Sequence, residues 1–297
     1  MELTNLMAPP FCSTLMGMMK GAADYYDLDL SAPALYGGSG HAFLMSIHKE
    51  LCPSGPYCWN REPFFRALAN LGIETVDHGF FWSEGGACER GEIEKLLKDS
   101  LDGGVPCGLV NMEYQLITGY DDTGFLTSQP WPGMDFPPGH LTFGTWEEFG
   151  ECHVIFLTFR KVTPASEAKA VGDALRYAVD LYRNPLAHSD GDYAVGAGAY
   201  ANWIAAVEQG HGSGHGNWWN GTVWAECRAR AADYLAEIDA RFPGAAGLAS
   251  DYRAIAEALA RASDKEMDSQ AKIETLKQAA TTEADCVSRI EELAAAV

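Results

Sequence analysis

The sequence predicts an α+β domain followed by an all-α helical bundle. Three observations lead there. Eleven of the fourteen prolines lie before residue 163, and alanine dominates after it. Helical periodicity comes first in the N-terminal half, and apolar strand-like runs follow between residues 105 and 159. In the C-terminal half, apolar residues step by three and four. The domains expected are therefore 1–162 and 163–297, joined at Thr163-Pro164-Ala165-Ser166.

In the first half, Leu15, Met18, Met19 and Ala22 predict a helix over Ser13 to Tyr26. A second helix is expected from Arg61 to Leu71, with Pro63 in its first turn. Ile73 to Trp82 reads as extended. A third helix over Glu89 to Leu101 stops at Gly103-Gly104. Val105 to Val110 and His153 to Phe159 are apolar strands. Between them, Tyr114 to Tyr120 and Phe125 to Ser128 flank an Asp121-Asp122-Thr123-Gly124 turn and predict a hairpin.

In the second half, Ala168, Val171, Leu175, Ala178 and Tyr182 form one helical stripe, and Val223, Cys227, Ala231, Tyr234 and Ile238 another. Ile273, Leu276, Ala280, Val287, Ile290, Ala294 and Val297 fit a heptad interrupted by Glu283. Such a helix packs within its own bundle or pairs with another copy, so a homo-oligomer through the C-terminal helices is one expected partner mode.

The formal net charge is −20, from 41 acidic and 21 basic residues. That field repels polyanions, so neither nucleic acid nor an anionic membrane surface is expected as a partner. No apolar run reaches the roughly 18 residues that span a bilayer. The start MELTNLMAPPF has neither a basic nor an apolar signal region. A cytoplasmic location follows as the expectation, with the eight cysteines reduced. Asn220-Gly-Thr is then a chance glycosylation match.

Cys12 is the first candidate for chemistry. It follows Pro9-Pro10-Phe11 and opens a helix, where unpaired N–H groups and the helix dipole favour thiolate. A small buried hydrophobe suits the same position. A cysteine opening a helix, followed by Glu113-Tyr-Gln-Leu-Ile-Thr-Gly-Tyr-Asp121 and Ser128-Gln129-Pro130, resembles papain-like peptidases of the double-glycine-leader type. The run Leu35-Tyr-Gly-Gly-Ser-Gly-His-Ala-Phe43 more closely resembles the butirosin biosynthesis protein H N-terminal domain family. Asn217-Trp-Trp-Asn-Gly-Thr-Val-Trp-Ala-Glu-Cys-Arg228 resembles the helical domain often attached to it.

The resemblance implies a papain-like cysteine-peptidase fold and acyl transfer or amide hydrolysis through a Cys12 thioester. It places Cys12 on the nucleophile, Glu113 where the peptidases carry the general-base histidine, and Gln129 near the orienting Asp or Asn. One of the three positions matches and two depart. Asn5, just upstream of the nucleophile, is the expected oxyanion donor.

Other residues enter as helpers or ligand contacts. His41, in Gly37-Gly38-Ser39-Gly40-His41, either approaches Cys12 or caps a helix over His41 to Glu50. Gly38, Ser39 and Gly40 are read as a loop able to meet a ligand, and Tyr114 is a further expected ligand contact. His211 and His215 lie in a glycine-rich loop before Trp218, Trp219 and Trp224; the loop either completes a pocket or is a mobile linker. His215 and Trp218 are its expected ligand contacts. His48, Cys52 and Cys58 have spacing too wide for a usual zinc site. No metal and no cofactor is expected. The expected partner is a small-molecule or peptide substrate, and the alternative function is a catalytically inactive papain-like binding protein.

Overall fold

The computed structural model describes residues 1–189 and 191–297. In chain order it contains α1 (Thr14–Tyr25), α2 (Ala32–Gly38), β1 (Ser46–His48), α3 (Glu62–Asn70), β2 (Ile73–Trp82), α4 (Ala87–Asp102), β3 (Cys107–Val110) and β4 (Tyr114–Tyr120). Then come β5 (Gly124–Thr127), β6 (His140–Thr142), β7 (His153–Lys161), α5 (Glu167–Arg183), β8 (Tyr193–Val195), α6 (Ala197–Glu208), α7 (His215–Ile238), α8 (Ala245–Ala262) and α9 (Ser269–Ala296).

The chain is α+β and divides into two compact units, each built from two stretches. Met1–Leu30 joins Gly72–Pro164 in the first, and Ser31–Leu71 joins Ala165–Val297 in the second. The division expected as 1–162 and 163–297 is corrected accordingly. A crossing does fall at Pro164, where composition changes, but Ser31–Leu71 belongs with the C-terminal half. No helix among the described residues is long and apolar enough to cross a membrane.

The first unit is a six-stranded antiparallel sheet in the order β2-β7-β3-β4-β5-β6. The apolar run from Val154 to Phe159 is buried throughout, which suits β7 to the interior of the sheet. β3 is likewise buried along its length. The β4–β5 hairpin turns on Asp121, whose Oδ1 accepts from the backbone N–H of Thr123 at 2.7 Å and of Gly124 at 3.0 Å. Helix α1 packs against β4. It buries Leu15, Met16, Met18, Met19 and Ala22, and each of the larger side chains contributes about 1.5–3 kcal/mol by leaving water. Gly17 and Gly21 leave room on this helix for the incoming chain. A Cβ there would stand 2.7 Å from the carbonyls of Pro9 and Met7 respectively.

In the second unit, α7 packs against α2 and α8, and α9 packs against α5, α6 and α8. Strand β1 pairs with β8, Ile47 opposite Ala194. The helix expected over His41 to Glu50 is instead a single 3-10 turn, His41–Phe43, followed by β1. The carbonyls released there have other partners. Arg228 Nη1 donates to the carbonyls of Ala42 at 2.9 Å and Leu44 at 2.7 Å.

Glu283 does not interrupt the α9 stripe; it is a member of it. Leu276, Ala279, Glu283, Cys286, Ile290 and Leu293 step by three and four and are all buried. Glu283 Oε1 lies 2.8 Å from Arg228 Nη2, and Tyr200 donates its hydroxyl to Oε2 at 2.5 Å. Burial opposes the Arg228 charge, but the Glu283 carboxylate outweighs that and holds the guanidinium protonated. The heptad face is thereby covered inside its own chain.

Removing one partner of such a pair strands a buried charge. Arg228→Met or Glu283→Leu alone should each cost about 3–5 kcal/mol in urea unfolding. The double variant should cost less than the sum of the two, and additive losses would show that the pair is not coupled.

Candidate active site

The residue before the α1 cap is Cys12, which is partly exposed. Its neighbours hold it from two sides. The indole N–H of Trp131 donates to the Phe11 carbonyl at 2.9 Å, and the Phe11 N–H donates to the Pro9 carbonyl at 2.9 Å. From the other side, the chain that reaches Cys12 lies along α1 through Met7 and Pro9. The first N–H groups of a helix have no partner within it, so the thiol precedes a natural anion-accepting end.

Glu113 precedes β4 and is buried. Its Oε2 accepts from Thr14 Oγ1 at 2.7 Å. That hydroxyl in turn accepts from the Tyr114 N–H at 3.3 Å, which leaves its proton for Glu113. Thr14 is the first residue of α1, so the carboxyl group is anchored in the turn that Cys12 leads into. Helix head and carboxyl thus meet because α1 packs on β4 with the helix head at the strand's start.

Trp131 belongs to loop 129–137. Gln129 was expected to orient a base, but both ends of its amide are engaged by one residue. Oε1 accepts from the Phe136 N–H at 2.7 Å and Nε2 donates to the Phe136 carbonyl at 3.0 Å. Gln129 is a clasp that closes the loop. Gln115 is fully buried and donates to the Phe136 and Pro137 carbonyls at 3.2 and 3.3 Å. It lies on β4, two residues after Glu113.

Several expected site residues stand elsewhere. Asn5 is exposed, with φ 67°, two residues after Leu3, whose N–H donates to the Thr118 carbonyl. The chain passes Gly21 at Met7 and Gly17 at Pro9 on its way to Cys12, so Asn5 sits toward the other end of the helix. Tyr114 is buried in the first unit.

His41, Gly38, Ser39 and Gly40 belong to the second unit. A Cβ at Gly38 would stand 2.9 Å from the Leu71 side chain, and one at Gly40, φ 77°, 2.3 Å from the Tyr177 ring. The Ser39 hydroxyl donates to the Tyr36 carbonyl at 3.2 Å. These glycines serve packing, and the turn is buried. His41 is 1% exposed among the rings of Tyr36, Trp59, Phe64 and Trp224. Burial, with the Arg228 charge second, lowers its pKa to about 3. It is a neutral core residue.

The Asn217 to Arg228 stretch is also structural. Asn217 accepts from the Trp203 indole at 2.8 Å and donates to the Ala262 carbonyl at 3.0 Å. Asn220 donates to the Cys52 carbonyl at 2.9 Å. His215 and Trp218 are exposed and their rings lie 5.3 Å apart, tilted against each other. The loop before them is no free linker, because buried Lys272 donates to the Gly212 carbonyl and, at 2.8 Å, to that of Asp264. His48 stacks on Tyr193, and Cys52 contacts Ser54. No group of three or more metal-ligating side chains occurs among the described residues.

Thr14 and Trp131 were missed by sequence reasoning. A threonine two positions after the cysteine was the available signal for the first. Nothing local announced the second. No family model matches the chain, and no curated protein matches it.

The placement of His41 has a measurable consequence. Between its ordinary pKa near 6.5 and about 3, the unfolded chain binds a proton that the folded chain does not. Stability therefore falls as pH drops through that window and gains no slope from His41 above it. Between pH 7 and 5, wild type should lose about 2 kcal/mol more than His41→Phe in urea unfolding. Equal losses would place the ring in water.

Proposed function

We propose that the first unit is a papain-like domain, of the butirosin biosynthesis protein H type, that acts as an acyltransferase or amide hydrolase through a Cys12 thioester. The observation behind this reading is the Glu113 carboxyl group, anchored by Thr14 in the first turn of the helix that Cys12 precedes. A partly exposed thiol that leads into a helix, with a carboxyl group anchored in that helix's first turn, supports a nucleophile and its proton acceptor. The order of elements also supports it: a helix-opening cysteine, then an antiparallel sheet whose strand β4 begins directly after Glu113.

In the first half-reaction the thiol proton passes to Glu113 as sulfur attacks the acyl carbonyl. The N–H groups that open α1 receive the oxyanion. The leaving amine takes the proton from Glu113, and a thioester remains on Cys12. An acceptor amine or water then attacks the thioester and gives its proton to Glu113. The thiolate leaves and recovers that proton. The substrate class is a small molecule or peptide with an acyl or amide group.

A second reading is a binding module that keeps the cleft without turnover. It is favoured by one observation: both ends of the Gln129 amide bond to the Phe136 backbone.

Labelling separates the two. At neutral pH, iodoacetamide should modify Cys12 ahead of the exposed Cys88 and Cys152. Cys107 and Cys286, whose pKa values burial raises to about 12, should stay unmodified in the folded protein. Glu113→Gln should slow Cys12 labelling by about tenfold or more. A simple acyl thioester should add its acyl mass to wild type and not to Cys12→Ala. Cys12 labelling no faster than that of a free thiol, with no acyl adduct, supports the binding module.

A further inference from the structure

The second unit contains a cleft of about 700 Å³ between α3 and α5, remote in kind from the thiol chemistry. Its size is that of a small-molecule site. Its rim carries Arg66, Lys169 and Arg176, all more than half exposed, in a chain of net charge −20. Their present partners are surface carboxylates. Arg66 pairs with Glu62 at 2.8 Å, while Lys169 and Arg176 share Asp173 at 2.5 and 2.7 Å. Exposed pairs of this kind are held by about 1 kcal/mol or less, so an incoming anion competes with them readily.

The floor of the cleft is of a different nature. Tyr177 and His188 line it and are 8% and 3% exposed. The Tyr177 hydroxyl and His188 Nδ1 are buried and have no hydrogen-bond partner among the described residues. The two rings lie 5.4 Å apart. His188 Nε2 is 2.7 Å from Asp180 Oδ2. A carboxylate oxygen accepts, so that contact assigns a ring proton to Nε2; in the Nε2–H tautomer Nδ1 is an acceptor. Asp180 also accepts from Asn184, so its charge is directed to groups already in place. A buried hydroxyl and a buried imidazole nitrogen left without partners are costly, and each requires a group to bond to.

We propose that this cleft binds a small hydroxylated anion: an oxyanion head group, carboxylate or phosphate, at the Arg66–Lys169–Arg176 rim, and a hydroxyl at Tyr177 and His188. The rim supplies forked donors that match either oxyanion. The floor supplies one donor, the phenol, and one acceptor, Nδ1, which a ligand hydroxyl satisfies together. The site is independent of the Cys12 chemistry, and Cys12→Ala should leave binding there unchanged.

Titration calorimetry on the full chain tests it with glycerol 3-phosphate and malate, which separate the phosphate and carboxylate sources, and with glycerol as the uncharged control. At least one anion should bind saturably, and glycerol should not. Arg66→Ala with Arg176→Ala should weaken that binding by about tenfold or more. Tyr177→Phe should weaken it by about fivefold. The same Tyr177→Phe protein, free of ligand, should be at least as heat-stable as wild type, because the hydroxyl it loses has no partner. Absence of saturable binding by both anions overturns the proposal. So does binding that survives both the arginine and the Tyr177 variants.

Discussion

The second unit depends on one buried ion pair. Arg228 of α7 and Glu283 of α9 are 1% and 0% exposed in their side chains, and neither charge tolerates such burial alone. The guanidinium meets Glu283 on one side and the carbonyls of Ala42 and Leu44 on the other. Those carbonyls belong to a segment more than a hundred residues upstream. The pair therefore does more than join two helices. It recruits Ser31–Leu71 into the helical unit, and with it the turn that ends α2.

That recruitment determines the fate of several polar residues that look functional in isolation. His41 lies one residue from the Ala42 carbonyl that Arg228 grips, so it is carried into an aromatic core. Gly38 and Gly40 are small because Leu71 and Tyr177 occupy the space of their side chains. The pattern of glycine, serine and histidine in that turn is shaped by packing. Lys272 is a parallel case, a buried cation spent on the Gly212 and Asp264 carbonyls.

The first unit is organised differently. Its candidate site is a junction between a helix head and a strand start, made by the Tyr114 N–H, the Thr14 hydroxyl and the Glu113 carboxyl in sequence. Each bond orients the next, because a hydroxyl that accepts from an amide has its proton free to give. The Phe11 carbonyl, tied to Trp131, fixes the residue beside Cys12. Thiol and carboxyl are held by separate elements, which is the arrangement expected of a site whose parts need mutual rigidity.

Most elements were legible in the residues themselves: α1, α3, α4, the β4–β5 hairpin, β7 and the stripes of α5, α7 and α9 all follow from periods of two or 3.6 and from turn chemistry. Cys12 at a helix head was legible for the same reason, since it is local, whereas Glu113 entered only through the family resemblance. Periodicity could not disclose which stretch packs with which. It read Glu283 as a flaw because charge alone marks a residue as exposed, whereas its partner lies 55 positions away in the chain on α7. It read His41 as available because a glycine-rich run looks mobile until its neighbours are known. Local pattern sets the secondary structure through short-range sterics and hydrogen bonds. The identity of each unit, and whether a polar side chain faces water, ligand or core, rests on long-range pairing that no window of sequence contains.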